Sequence, residues 1–211
     1  NQFDNDGDWT EADWYVPGVP NPNFSPYIQA NTEYNYVRAL AWPEGTLMTL
    51  TINGADGNYT TTALMGEAPW DPGDPNDIVA DFDLQGYHIQ IGDTLIVSGG
   101  GITKILLVSS VAVTFANPAT DIVFGTADPG TQLKVWVCDN NPCVIRKPTA
   151  NGSGIWIANF GELEPNGDGS TFDLVPGTQV GVNQFDDDGD ITDAYWHVVN
   201  PHFDVRANTD Q

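Results

Sequence analysis

Residues 1–16 read NQFDNDGDWTEADWYV, and residues 183–198 read NQFDDDGDITDAYWHV. Asn1 matches Asn183, Gly7 matches Gly189 and Trp14 matches Trp196. Each copy places an acidic Asp-Gly turn between two short strand-like runs, which is the layout of a β-hairpin. The match runs on with small gaps. Asn21-Pro22-Asn23-Phe24 answers Asn200-Pro201-His202-Phe203, and Ala30-Asn31-Thr32 answers Ala207-Asn208-Thr209. Self-similarity at a spacing of about 180 residues is the signature of a tandem array. The chain therefore reads as slightly more than one period of a longer repetitive protein, opening on the tail of one repeat and closing on the head of the next.

Working inward, the runs between the two hairpins are short and alternating. Leu47-Met48-Thr49-Leu50-Thr51-Ile52, Thr94-Leu95-Ile96-Val97 and Gln132-Leu133-Lys134-Val135-Trp136-Val137 are separated from their neighbours by Gly, Pro, Asn and Asp clusters. Helical periodicity is almost absent, so the pattern predicts an all-β sandwich class. A fainter repeat lies inside the long one. DFDLQGYHIQIGDTLIV (81–97) answers TFDLVPGTQVGV (171–182), and EGTLMTLTI (44–52) answers PGTQLKVWV (129–137). This inner period is about 85–90 residues, the size of one immunoglobulin-like sandwich. The expected division is 1–23 as the closing hairpin of a preceding repeat plus linker, 24–112 as module A, 113–200 as module B, and 201–211 as the first strand of a following repeat.

Module B resembles the bacterial immunoglobulin-like (Big-type) tandem repeats of secreted and cell-surface proteins. The residues that carry the resemblance are Phe124-Gly125-Thr126-Ala127-Asp128-Pro129-Gly130-Thr131 and Ala150-Asn151-Gly152-Ser153-Gly154-Ile155-Trp156. Module A lacks the Gly-Ile-Trp element and is similar only loosely. The resemblance implies a role as spacer, adhesin segment or surface-layer component.

Charge narrows the partners. Six Lys and Arg face 29 Asp and Glu, for a formal charge of -23. Nucleic acid and anionic membrane surfaces are disfavoured, because both demand cationic neutralisation. Solubility and cation binding are favoured. Hydrophobic residues at 40 % with seven Trp argue against disorder. No run reaches the roughly 20 apolar residues of a membrane helix. Cys138 and Cys143 flank a short loop between strand-like KVWV and VIRK, within disulfide reach of each other. That pairing implies an oxidising, extracytoplasmic setting.

Two places can carry ligand chemistry. Asp4, Asp6 and Asp8 alternate, as do Asp186, Asp188 and Asp190, so three carboxylates can converge on one hard cation such as Ca²⁺. The EF-hand template does not fit: with Gly7 as its invariant glycine, position 12 is Asp13 in one copy and Tyr195 in the other. The competing reading is a plain acidic hairpin turn. Trp70, beside Asp71 and Asp74 in a Pro-rich loop, is the candidate for ligand or partner contact, with carbohydrate the ligand that aromatics and carboxylates suit. Trp14, Trp136, Trp156 and Trp196 are expected to pack in cores or interfaces. Catalysis finds little support, since no metalloprotease, nucleophile-elbow or P-loop motif occurs. The reading is a non-enzymatic extracellular structural repeat, partnered by adjacent repeats or by neighbouring copies joined head-to-tail through strand addition. The alternative is a calcium-dependent carbohydrate-binding module of a secreted hydrolase.

Overall fold

A computed structural model describes residues 2–3, 9–10, 25–74, 77–139, 143–163 and 169–199. Among these residues every regular element is a β-strand. The N-terminal hairpin contributes β1 (Gln2–Phe3) and β2 (Trp9–Thr10). The next strands are β3 (Tyr27–Asn31), β4 (Tyr36–Leu40), β5 (Leu47–Gly54), β6 (Gly57–Leu64), β7 (Gly66–Glu67), β8 (Ile78–Asp81), β9 (Thr94–Gly99) and β10 (Ile102–Leu107). They are followed by β11 (Ala112–Asn117), β12 (Ile122–Thr126), β13 (Leu133–Cys138), β14 (Val144–Arg146), β15 (Ile155–Asn159), β16 (Gln179–Phe185) and β17 (Ile191–His197).

Alternation decides which faces are buried. In β5, Met48, Leu50 and Ile52 are fully buried while Thr49 and Thr51 point outward. In β13, Leu133, Val135 and Val137 do the same on the other side of the molecule. Each such side chain contributes about 1.5–3 kcal/mol by leaving water. Among the described residues two large hydrophobic clusters result, beside a small one of Leu40, Ala68 and Val79. One gathers residues from Ile28 to Val108, between the four-stranded sheet β10-β9-β5-β6 and the strands β3, β4 and β8. The other gathers residues from Val113 to Val198, between the three-stranded sheet β11-β12-β15 and the strands β13, β14, β16 and β17.

The two cores share a wall. Strands β14-β13-β16-β17-β3-β4-β8-β7 form one eight-stranded sheet that backs both clusters. Its seam is the pairing of β17 with β3, which is parallel, with Ile191 opposite Gln29 and Thr192 opposite Ala30. The other strand pairs of the sheet are antiparallel.

The Cys138–Cys143 disulfide is present, with its Cα atoms 4.4 Å apart, and it closes the loop between β13 and β14. The N-terminal copy of the hairpin repeats the C-terminal register: Gln2 faces Thr10 and Phe3 faces Trp9, as Gln184 faces Thr192 and Phe185 faces Ile191. Asp4, Asp6 and Asp8, the remainder of the 1–16 hairpin, and the strand expected in 201–211 lie outside the described residues.

The buried wall of the second core is closed by an indole over a glycine. Trp156 is fully buried and donates from Nε1 to the carbonyl of Thr126 at 3.1 Å. It lies against Gly125, its register partner on β12, so closely that a Cβ there would overlap both the indole and the backbone carbonyl of Ala112. Gly125→Ala should therefore destabilise the protein by about 2 kcal/mol, read as a lowered denaturant midpoint. Gly152→Ala, where a Cβ meets open space, should stay within about 0.5 kcal/mol of the parent.

Candidate functional site

The aspartate turn closes the hairpin between β16 and β17. Its shape is set by one side chain. Asp186 Oδ1 accepts the N–H groups of Asp188 at 3.1 Å and of Asp190 at 2.9 Å. The Asp186 N–H donates to the carbonyl of Asp190 at 3.0 Å. Gly189 takes φ +88, a conformation that glycine adopts without steric cost. The three carboxylates of Asp186, Asp188 and Asp190 consequently bring one oxygen each within 4.8 Å of one another. Asp186 and Asp188 are exposed, whereas Asp190 is fully buried. Three acids this close are in position to hold a metal ion.

A cation already reaches the turn. Lys104, on β10 of the first sandwich, places Nζ 2.7 Å from Asp188 Oδ2 and 3.4 Å from Asp190 Oδ1, and donates to the Asp188 carbonyl at 2.7 Å. Asp190 Oδ1 also accepts the backbone N–H of Ile28 at 2.7 Å. Its Oδ2 is buried with no hydrogen-bond partner. The turn is thus both an oxygen cluster and a clasp, since Lys104 and Ile28 belong to the first core and the aspartates to the second.

A second acid reinforces the clasp one step along β17. Asp193, almost fully buried, accepts from Gln29 Nε2 at 2.6 Å, Asn31 Nδ2 at 2.9 Å, Tyr36 Oη at 2.6 Å and Tyr195 Oη at 2.9 Å. Thr192 Oγ1 accepts the N–H of Ser109, in the segment that joins the two sandwiches, at 3.1 Å. Neither Lys104 nor Asp193 stands out in the sequence. One signal for Asp193 is available there: the N-terminal copy keeps an acid, Glu11, at the matching position.

Trp70 is elsewhere in the fold and is half-exposed. Its Nε1 donates to Asp77 Oδ2 at 2.7 Å, and the guanidinium of Arg38 lies 4.6 Å from its ring centroid. Asp71 is exposed and Asp74 half-buried in the same loop, the Asp74 N–H donating to the Asp71 carbonyl at 3.4 Å. Asp77, three positions beyond Asp74, is thus an acid in contact with Trp70. Trp156 packs in the second core and Trp196 against it. Trp136 alternates with the buried Val135 and Val137 and so projects from the opposite face of the sheet, half-buried over Gly181 and against Tyr195.

Electrostatics follow burial. Removal from water pushes the Asp190 carboxyl up to about 6, against the opposing pull of the Ile28 amide and Lys104. Burial likewise raises Asp186, helped by its neighbour Asp188. Asp188 is held below the usual carboxylate range by its hydrogen bond to Lys104. Burial works against the Lys104 ammonium, but Asp188 and Asp190 together hold its pKa above the ordinary value. Burial and the charge of Asp193 push Tyr195 up to about 12.

No protein-family model matches the sequence, and no curated protein does. Solved structures with a similar chain path include a tetra-tandem repeat from the extending region of a large adhesion protein, at 14% identity, covering 82% of this chain and 48% of that one, with a TM-score of 0.31. The BSP domain of a biofilm associated protein is similar at 14% identity, covering 83% of this chain and 29% of that one, with a TM-score of 0.32. A bacterial ice-binding adhesin is similar at 12% identity, covering 83% of this chain and 64% of that one, with a TM-score of 0.26. The chain spans about half the length of the first of these and less than a third of the second.

The raised pKa of Asp190 has a defined sign. A carboxyl whose folded pKa exceeds its unfolded value binds its proton more tightly in the fold. Asp190 therefore weakens the fold above about pH 6 and ceases to do so as the pH falls toward its unfolded pKa near 4. Asp188 acts in the opposite sense, supporting the fold above the usual carboxylate range and losing that support as the pH falls through its lowered pKa. With chelator present, the melting temperature should rise between about pH 7 and pH 5, and Asp190→Asn should show a smaller rise. Calorimetry of the two proteins measures the difference. Equal rises would assign the trend to relief of net charge alone.

Proposed function

We propose that this chain is a non-enzymatic structural repeat of an extracellular, cell-surface array, serving as a stalk, fibre or adhesin segment. The observation that carries this reading is the recurrence of one hairpin, in sequence and in register, at both ends of the chain. The disulfide supports an oxidising compartment, and the charge of -23 suits a solvent-exposed array that resists collapse onto itself. The unit of the array is the whole period of about 180 residues, because β17 and β3 join its two cores. Limited proteolysis of a chain carrying three consecutive periods should release resistant fragments of about 180 residues. Resistant fragments of about 90 residues would mean that the sandwiches are the independent units.

Adjacent repeats and neighbouring copies are the partners of such an array. Head-to-tail strand addition needs an open edge. Strand β6 ends the four-stranded sheet and has eight residues without charge or proline, the features that normally guard an edge. If residues 1–20 occupy that edge in a second copy, their deletion removes polymers seen by electron microscopy and leaves the fold intact.

The aspartate turn is the proposed cation site. An all-oxygen donor set suits Ca²⁺, and the unpartnered Oδ2 of Asp190 is the ligand atom with no other bond to lose. Calcium entering here competes with Lys104 for Asp188 and Asp190. Calcium should raise the melting temperature by mass action, and Asp188→Ala with Asp190→Ala should abolish most of that rise. An equal rise with monovalent salt would leave only charge screening.

A further inference from the structure

The outer face of the eight-stranded sheet carries a run of aromatic groups across the seam, extended through Arg38 to Trp70 in the adjoining loop. Trp136 lies over Gly181, where a Cβ would collide with the indole, and its ring is half-buried on this face. Tyr195 meets it edge-on, with centroids 5.7 Å apart and planes at 63°. Tyr34, more than half exposed at 54%, meets Tyr195 from the other side at 5.7 Å and 64°. The Tyr195 and Tyr36 hydroxyls are 3.2 Å apart, Arg38 lies 4.2 Å over the Tyr36 ring, and the same guanidinium covers Trp70 at 4.6 Å. Four strand spacings separate β13 from β4 in the sheet order, roughly 19 Å.

These rings are held in place. The hydroxyls of Tyr36 and Tyr195 both donate to Asp193 Oδ2, the Tyr34 backbone is tied to Asn31 Oδ1 at 2.7 Å while its ring meets Tyr195, and Trp70 is held by Asp77. Little rotamer freedom remains to be lost on binding, which is what preorganisation requires. Beside the line, a hollow of about 300 Å³ is lined in part by Gln29, Lys134 and Asn183, three side chains with N–H donors. Gln29 shares the Asp193 oxygen with the two tyrosines, so the hollow adjoins the line.

We propose that this face binds an extended, uncharged polysaccharide. The solvent-facing parts of Trp136, Tyr34 and Trp70 offer apolar ring surface to the C–H faces of pyranose rings, and the amide and ammonium groups alongside match their hydroxyls. The net charge of -23 repels polyuronates and other acidic glycans. Arg38 is already paired with Asp81 at 2.5 Å, so it stacks without offering a free charge. No carboxylate of the aspartate turn belongs to the aromatic groups or lines the hollow, although Gly189 of the turn does line it, and the proposed binding is therefore independent of calcium. The site is independent of the array reading, and its failure leaves that reading standing.

The test is calorimetric titration of the full chain, in chelator, with soluble hexasaccharides of glucose, mannose and N-acetylglucosamine, with oligogalacturonate as the acidic control and a proline-rich peptide as the alternative ligand. At least one neutral sugar should bind. Trp136→Ala and Trp70→Ala should each weaken it at least about tenfold, and Trp136→Tyr should restore part of the loss. Unchanged melting curves would separate lost contact from lost fold. The proposal is overturned if no neutral sugar binds, if the acidic oligomer binds more tightly, if the peptide binds while the sugars do not, if binding vanishes in chelator, or if neither tryptophan matters.

Discussion

Two buried carboxylates hold this molecule together at its weakest geometric point. The seam between β17 and β3 is short and parallel, and parallel pairing is slightly less stable per residue than antiparallel. Asp190 and Asp193, both on the seam strand's side, supply what the backbone ladder lacks. Asp193 accepts from four side chains, three of them on β3 and β4. Asp190 accepts from the backbone of β3 and attracts Lys104. A buried charge is costly when a partner is lost, far more than it is beneficial when all partners are in place. The seam therefore tolerates one arrangement of the two cores and penalises others, which is specificity more than raw stability.

The strong negative charge makes the placement of the few cations informative. Lys104 spans the seam, Arg38 pairs with Asp81 while covering Tyr36 and Trp70, and Arg146 is buried. Arg146 donates to the carbonyls of Asn159, Glu162 and Ser170 at 2.6–2.7 Å and lies over the Phe160 ring. It ties the loop after β15 down onto the second core, satisfying the carbonyls of Glu162 and Ser170 outside the strands. Each of these cations fastens segments distant in the sequence, so a chain with many acids and few bases uses its bases as rivets.

The all-β class was legible because alternation is local: Met48, Leu50 and Ile52 declare a buried face within six residues. The aspartate turn and the cysteine pair were legible for the same reason, since turn chemistry and loop closure are read from a few neighbours. The seam was not. Ile28 and Asp190 are 162 positions apart, and nothing local in YIQAN distinguishes a strand that pairs in parallel with a distant one from an ordinary edge. Lys104 was hidden likewise, because its partners come from another core. The face that Trp136 takes was not legible, because a tryptophan in an alternating strand fits either one, and its pairing with Gly181 is what places it outward. Acid at both Glu11 and Asp193 was the one trace of the seam in the sequence.

The direction of the seam has a mechanical meaning. In the array proposed above, tension along the chain would enter at the start of β3 and leave at the end of β17. Because these strands run parallel and side by side, opposite pulls slide them past each other lengthwise, loading the ladder and the Asp190 and Asp193 contacts in shear instead of peeling them one at a time. The force crosses from one strand to its neighbour without passing through either core. The 162 positions between Ile28 and Asp190 are slack, out of the load path while the seam holds. If it yields, up to roughly 550 Å of chain becomes available to lengthen before the tether breaks. The seam is then a fuse with a reserve of rope behind it.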